Sequence, residues 1–332
     1  MARRILKRVT AVMTASVILV GCTTQAGRIG MDDGRDACRT QLVALDSTGN
    51  FFGEDIARGA AVGALGGALV GGLASGRWEG ALIGAAVGGA GGAAVGYYSS
   101  VQRQARDQAA ITAQIGNDLQ RENAQLDRTQ VAFDQLMDCR LRSAAIIRAA
   151  VAEGRVNRAT GQAQMADIRA RFEQDLRLAQ TINSRITTRG NEFDTAIENV
   201  VPGGKSGIRT VSIANRPAIQ IAPRAPVSVK FRPRPDSADI AQISARDVVS
   251  VRPGPSGYAV VETAAGVRGY APADAFPVPR GSGLGAAPDP QASNGSDMRS
   301  LAATNIARRE NFSESVGNAE RLASSGGFEL AS

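Results

Sequence analysis

Residues 59–98 read GAAVGALGGALVGGLASGRWEGALIGAAVGGAGGAAVGYY. Glycine recurs at Gly59, Gly63, Gly67 and Gly71, and again at Gly80, Gly84, Gly88, Gly92 and Gly96, with Ala, Val, Leu and Ile at almost every position between. A spacing of four places each set on one helix face. Arg77, Trp78 and Glu79 divide the stretch into two uncharged runs, Gly59–Gly76 and Gly80–Tyr98. At about 1.5 Å per residue each run extends about 27 Å, close to the hydrocarbon core of a thin bilayer. Glycine costs a soluble helix about 1 kcal/mol relative to Ala, so a regular stripe needs a compensating contact, and close approach of helix backbones supplies it. The first run holds only Val62, Leu65, Leu69, Val70 and Leu73 as strongly apolar side chains. Each is worth about −0.3 to −0.6 kcal/mol on insertion, so stability must come from packing against other helices, other copies included. Residues 57–99 are therefore expected to form a transmembrane helical hairpin that packs through its glycines and drives homo-oligomerisation. A soluble Gly/Ala helix pair or a low-complexity linker shares the composition, but the period is too regular for chance.

This stretch resembles the glycine-zipper two-transmembrane family of outer-membrane lipoproteins. The N-terminus points the same way. Arg3, Arg4, Lys7 and Arg8 precede an uncharged run from Val9 to Val20 that is too short for an ordinary membrane-spanning helix. It reads as a signal peptide over residues 1–21. Leu19-Val20-Gly21-Cys22 resembles the lipobox of bacterial lipoproteins, which implies lipidation at Cys22 and a palmitate-type acyl anchor. Thr23 after the cysteine implies, by the family's sorting rule, the outer membrane of a Gram-negative cell, facing the periplasm. Residues 22–56 would be the lipidated N-terminal segment.

The remaining cysteines are Cys38 and Cys139. An even count in an oxidising compartment favours a disulfide over two buried free thiols.

From residue 100 to 200 the chain has almost no proline and an apolar seam: Ile111, Ile115, Leu119, Leu126, Phe133, Met137, Leu141, Ala144, Ile147 and Val151. Glu153-Gly154-Arg155-Val156-Asn157 interrupts it, and Met165, Ile168, Phe172, Ala179, Ile182, Ile186, Phe193, Ala196 and Val200 resume it. The pattern predicts a long antiparallel helical hairpin or coiled coil. Its 14 basic and 13 acidic side chains read as solvated flanks.

Short Val- and Ile-rich segments between Pro/Gly turns then indicate a small all-β domain over residues 205–279. Val227–Pro233, Ile240–Ile243, Val248–Val251, Tyr258–Val261 and Gly266–Pro272 are the expected strands. The succession, closing on Gly266-Val267-Arg268-Gly269-Tyr270-Ala271-Pro272 with Phe276 after it, resembles a bacterial SH3-like domain. That resemblance implies a non-catalytic barrel that binds cell-wall peptides or proteins. Residues 201–280 carry 11 basic and 5 acidic side chains, whereas the whole chain is +7. A cationic barrel suits peptidoglycan carboxylates or an acidic protein. Arg232, Arg234, Arg252 and Arg268 are the candidate contacts, and Tyr258 and Tyr270 either flank a groove or fill the core. Residues 280–297 are expected as a flexible linker, and 298–332 as a tail with a weak amphipathic helix carrying Leu301, Ile306, Val316 and Leu322.

The overall fold class is thus multidomain and mainly α, with a glycine-zipper hairpin, a long helical hairpin and a small SH3-like barrel. With no histidine in the chain, Ser-His-Asp and Cys-His catalysis and zinc-hydrolase chemistry are excluded. Gly89-Ala90-Gly91-Gly92-Ala93-Ala94 lacks the preceding strand of a dinucleotide fingerprint, and Gly204-Lys205-Ser206 has Asn199 where a phosphate loop needs its first glycine. No catalytic residue, metal, cofactor or nucleic-acid partner is expected. The expected function is that of a non-enzymatic outer-membrane lipoprotein organising the envelope, in contact with outer-membrane lipid and with peptidoglycan or a periplasmic protein. The alternatives are an accessory subunit of a secretion or polysaccharide-export complex and an adaptor recruiting a cell-wall hydrolase.

Overall fold

The structure is a computed structural model that describes residues 24–52, 97–203, 217–278, 284, 297–325 and 328–330. The expected signal peptide, Cys22 and the glycine stripe lie outside the described residues. Among those described, no helix is long and apolar enough to cross a membrane.

The chain divides into two compact units, Met1–Asp36 and Ala37–Ser332. The first contains the short helix α1 (Gln25–Ile29), capped by Thr24, whose side chain accepts from the Gly27 amide at 3.3 Å.

The second unit is built on long helices. Helix α2 (Gln108–Ala152) opens at Asp107, whose carboxylate accepts from the Ala110 amide at 2.8 Å. Helix α3 (Arg158–Val200) opens at Asn157, which caps the Thr160 amide at 2.9 Å. Each cap satisfies a backbone donor that the first turn leaves unpaired. The expected seam is the buried one: of the α2 residues only Ile147 and Val151 are half-buried, and of the α3 residues only Ile168 and Val200.

The tail is no appendage. Helix α4 (Met298–Ser324) is capped by Asp297 and packs against both α2 and α3, burying Leu301, Phe312, Val316, Ala319 and Leu322. Phe312 meets Phe133 of α2 edge-on, with ring centroids 5.6 Å apart. Residues 39–52 are also helical and bury Leu42, Leu45 and Phe52. A disulfide joins Cys38 to Cys139, and Gln125 Nε2 of α2 donates to the Thr48 carbonyl at 2.8 Å. One bundle is therefore assembled from residues 37–52, 97–200 and 297–325. The β domain is inserted between its α3 and α4.

Buried polar pairs set the register of this bundle. Glu122 and Arg189 meet at 2.8 Å, and Arg140 and Asp175 at 2.7 Å, with all four side chains buried. Asn123 donates to the Leu301 carbonyl at 3.1 Å and accepts from Asn305 at 3.1 Å. Such groups add little net stability over apolar ones, but a shifted register would leave them unpaired at a cost of about 3–5 kcal/mol each.

The β domain is one six-stranded antiparallel sheet in the order β1-β4-β5-β6-β2-β3. The strands are β1 (Ile219–Ile221), β2 (Val227–Lys230), β3 (Asp239–Ile243), β4 (Val249–Pro253), β5 (Tyr258–Glu262) and β6 (Arg268–Pro272). The expected barrel is replaced by an open sheet whose edges, β1 and β3, stand at opposite ends of the order. One face buries Val229, Val251, Ala259, Val261, Ala271 and Phe276 as the domain's own core. Alternation turns Val260, Arg268 and Tyr270 to the other face, and Arg268 there forms an ion pair with Glu314 of α4. At Gly269 strand β6 runs so close to β2 that a Cβ would stand 2.5 Å from the Lys230 carbonyl oxygen.

Candidate functional site: a groove between helix and sheet

On α2, residues Val131, Gln135, Asp138, Arg142 and Ile146 follow one another at helical spacing along one stripe. The stripe floors a groove of about 900 Å³ whose walls come from the β2–β3 loop, from Tyr270 and from Asn311, Ser315 and Asn318 of α4.

The loop from Phe231 to Ala238 is clamped to α2 through Asp138. This carboxylate is buried and accepts from the Ala238 amide at 3.0 Å and the Ser237 hydroxyl at 3.1 Å. It also takes a charge-assisted bond from Arg232 and has Arg142 beside it at 3.5 Å. Ser237 in turn accepts from the Arg232 amide at 3.0 Å, so one aspartate organises the whole loop. Phe231 packs near Phe133, with centroids 6.5 Å apart.

Asp134, one turn before Asp138, accepts from Gln130 Nε2 at 2.9 Å and lies 3.7 Å from Arg232. Burial pushes its carboxyl up to about 7, with the charge on Asp138 in the same direction; Arg232 and the Gln130 hydrogen bond only partly oppose this. Gln130 itself is 5% exposed, yet its Oε1 has no hydrogen-bond partner among the described residues. Arg232 Nε and Gln41 Oε1 are likewise buried without partners there.

Most of the arginines expected to meet a ligand also pair within the fold. Arg232 is bound by Asp138, Arg268 by Glu314, and Arg252 lies 3.4 Å from Glu262. Only Arg234, whose side chain is 61% exposed and paired with the equally exposed Asp236, faces solvent fully. The reason is chain topology: the carboxylates that neutralise Arg232 and Arg268 stand on helices remote in sequence. Tyr270 lines the groove while only 7% exposed, and Tyr258 is half-buried against Val260 and Tyr270. Sequence reasoning missed Asp134 and Asp138 because a carboxylate one turn before another and before Arg142 reads as a solvated helix flank. Among the described residues no group of His, Cys, Asp and Glu is arranged to hold a metal.

The flanks of the glycine stripe also come together. Arg189 lies over the rings of Phe51 and Phe193, at 5.4 and 5.6 Å from their centroids, and the Tyr97 ring is 5.0 Å from Phe193. The last described residues before the stripe and the first after it are thus held around one arginine.

Comparison with the curated proteins and with the solved structures finds no match. A family model, Gly-zipper_Omp, described as a glycine zipper, matches residues 58–103. The match spans the glycine stripe and the first described residues after it, and it supports an outer-membrane-associated protein with a glycine-zipper segment.

Proposed function

We propose that the protein is a non-enzymatic lipoprotein of the outer membrane, lipidated at Cys22 and held a second time by a glycine-zipper hairpin through which copies associate. In this reading the helical bundle and the β domain face the periplasm and link the membrane to a partner there. The observation that carries it is the convergence of Phe51 and Tyr97 on Arg189 and Phe193. A segment whose two flanks meet at one place suits a hairpin, and its glycine spacing suits helix packing in lipid.

The engagement of Arg232 and Arg268 within the fold leaves less free cationic surface for wall carboxylates. This favours a protein as the partner over the wall polymer. The SH3-like resemblance then describes a small β domain used for docking, as in an accessory subunit or an adaptor for a hydrolase.

The test is expression with the native signal in a Gram-negative host, followed by density separation of membranes and chemical crosslinking. The expected result is an outer-membrane protein that crosslinks as oligomers, with Cys22→Ser weakening retention and Gly67→Ile with Gly88→Ile abolishing the oligomers. Recovery in the soluble periplasm, or a monomer in membranes and detergent alike, would overturn the reading.

A further inference from the structure

The two cysteines of the Cys38–Cys139 bridge stand in unlike surroundings. Cys139 belongs to α2 and lines the groove of about 900 Å³, half-buried, together with Gln135 and Ser143. Cys38 is 0% exposed. A thiolate arriving from solvent therefore has a path to Cys139 and none to Cys38.

Which sulfur can be reached, and how readily the other leaves, decide whether a disulfide exchanges. Cys38 is placed to leave. Its carbonyl accepts from the Leu42 amide at 3.1 Å, so it is the N-cap of the helix over residues 39–52. A helix N-terminus presents amides without intrahelical partners and the positive end of its dipole, which favour a thiolate there over the thiol. A thiol of lower pKa leaves faster. The Ser143 hydroxyl adds a polar neighbour 3.9 Å from the Cys38 sulfur. The helix that begins at this cap also has holds besides the bridge: Leu42, Leu45 and Phe52 are buried, and Gln125 donates to the Thr48 carbonyl at 2.8 Å. Opening the bridge thus leaves that helix seated. What it releases from α2 is the point where the compact unit begins, at Ala37. Bridges kept for stability alone resist reduction, whereas exposed ones are the labile and regulatory class.

We infer that Cys38–Cys139 is an exchangeable disulfide, entered from the groove at Cys139 by the thiolate of a dithiol reductant. The attacking sulfur forms a bond to Cys139 Sγ as the Cys139–Cys38 bond breaks, and Cys38 leaves with the electron pair and takes a proton from water. The second thiol then attacks the reductant's own sulfur in this mixed disulfide and releases Cys139 as a thiol. Two electrons have passed to the bridge, and the reductant departs as a disulfide. Reoxidation runs the same path backwards, with Cys38 as the resolving thiol. The inference goes beyond the proposed function and is independent of lipidation and of the zipper.

The test uses the full chain in detergent with Cys22→Ser, which removes the remaining cysteine. The oxidised protein is incubated with reduced glutathione under native conditions, quenched in acid, alkylated with N-ethylmaleimide in denaturant and mapped by peptide mass. Glutathione on Cys139 with maleimide on Cys38 should exceed the reverse at least tenfold. The rate should be proportional to thiol and unchanged by urea below the unfolding transition. Equal labelling of the two cysteines, the reverse assignment, or reduction only where urea unfolds the protein would overturn the inference. A second arm offers a Cys-x-x-Cys oxidoreductase whose second cysteine is replaced by Ser. A covalent adduct on Cys139 identifies a protein dithiol as the source, and exchange with glutathione alone identifies a small thiol. A protein that fractionates with the outer membrane yet exchanges only on unfolding overturns this inference and leaves the proposed function standing.

Discussion

Gly190 of α3 lies directly beneath the guanidinium of Arg309 of α4, which reaches across it to Asp194 Oδ1 at 2.9 Å. The absence of a side chain at 190 is what lets the two helices exchange this ion pair.

Replacing Gly190 by Ala in an ordinary helix interior would stabilise by about 1 kcal/mol. Here the new methyl overlaps the guanidinium and expels it from Asp194, a loss of about 1.5–3 kcal/mol for a charged hydrogen bond. Gly190→Ala should therefore destabilise by about 1 kcal/mol, and become stabilising by about the same amount in an Arg309→Ala background. Urea unfolding of the four proteins of this cycle checks the sign reversal.

Asp138 is buried and serves three donors of the β2–β3 loop. Asp138→Ala leaves Arg232 without its principal partner and should cost about 3–5 kcal/mol. Arg142→Ala, at an exposed guanidinium beside the same carboxylate, should cost less than about 1 kcal/mol. Thermal unfolding separates the two, and limited proteolysis should cut the β domain from the Asp138→Ala protein first.

The raised carboxyl of Asp134 makes stability depend on pH. Its folded value of about 7 lies above the ordinary 3.8, so the folded state binds the extra proton and the contribution is complete below about pH 3.8. It declines as pH rises and is lost above about 7, with a slope of at most about 1.4 kcal/mol per pH unit. Asp134→Asn should flatten the difference between denaturant midpoints at pH 5 and pH 8.

The disulfide Cys38–Cys139 closes a loop with a sequence separation of 101 residues. Chain entropy assigns such a bridge about 4–5 kcal/mol. Cys139→Ser should lower the midpoint accordingly, and a reducing agent should bring the wild type to the same value with no further effect on the variant.

The helical seam was legible because period 3.6 is a local property: Ile115, Leu119, Leu126 and Phe133 announce α2, and Glu153 to Asn157 announce its end. Most strands were legible from turn residues and β-branched pairs, although β1, only three residues long, was not. The place of α4 was hidden because its inward face mixes Phe312 and Val316 with Thr304, Asn305 and Asn318, buried polar residues that read as a solvated face in the sequence. The groove was hidden for a related reason. Asp138 and Arg232 are 94 residues apart, and nothing in either neighbourhood announces the other. The openness of the sheet was equally non-local, since it depends on which strands remain unpaired.

The packing of α4 on helices that precede the β domain also imposes an order of events. Asn123 of α2 and Arg268 of β6 are synthesised first and wait for Leu301, Asn305 and Glu314 of α4. Closure of the bundle on α4 consequently reports that the whole β domain has already been synthesised. A product cut short before Met298 would leave Phe133 without the ring of Phe312 and open the α2–α3 seam to proteases.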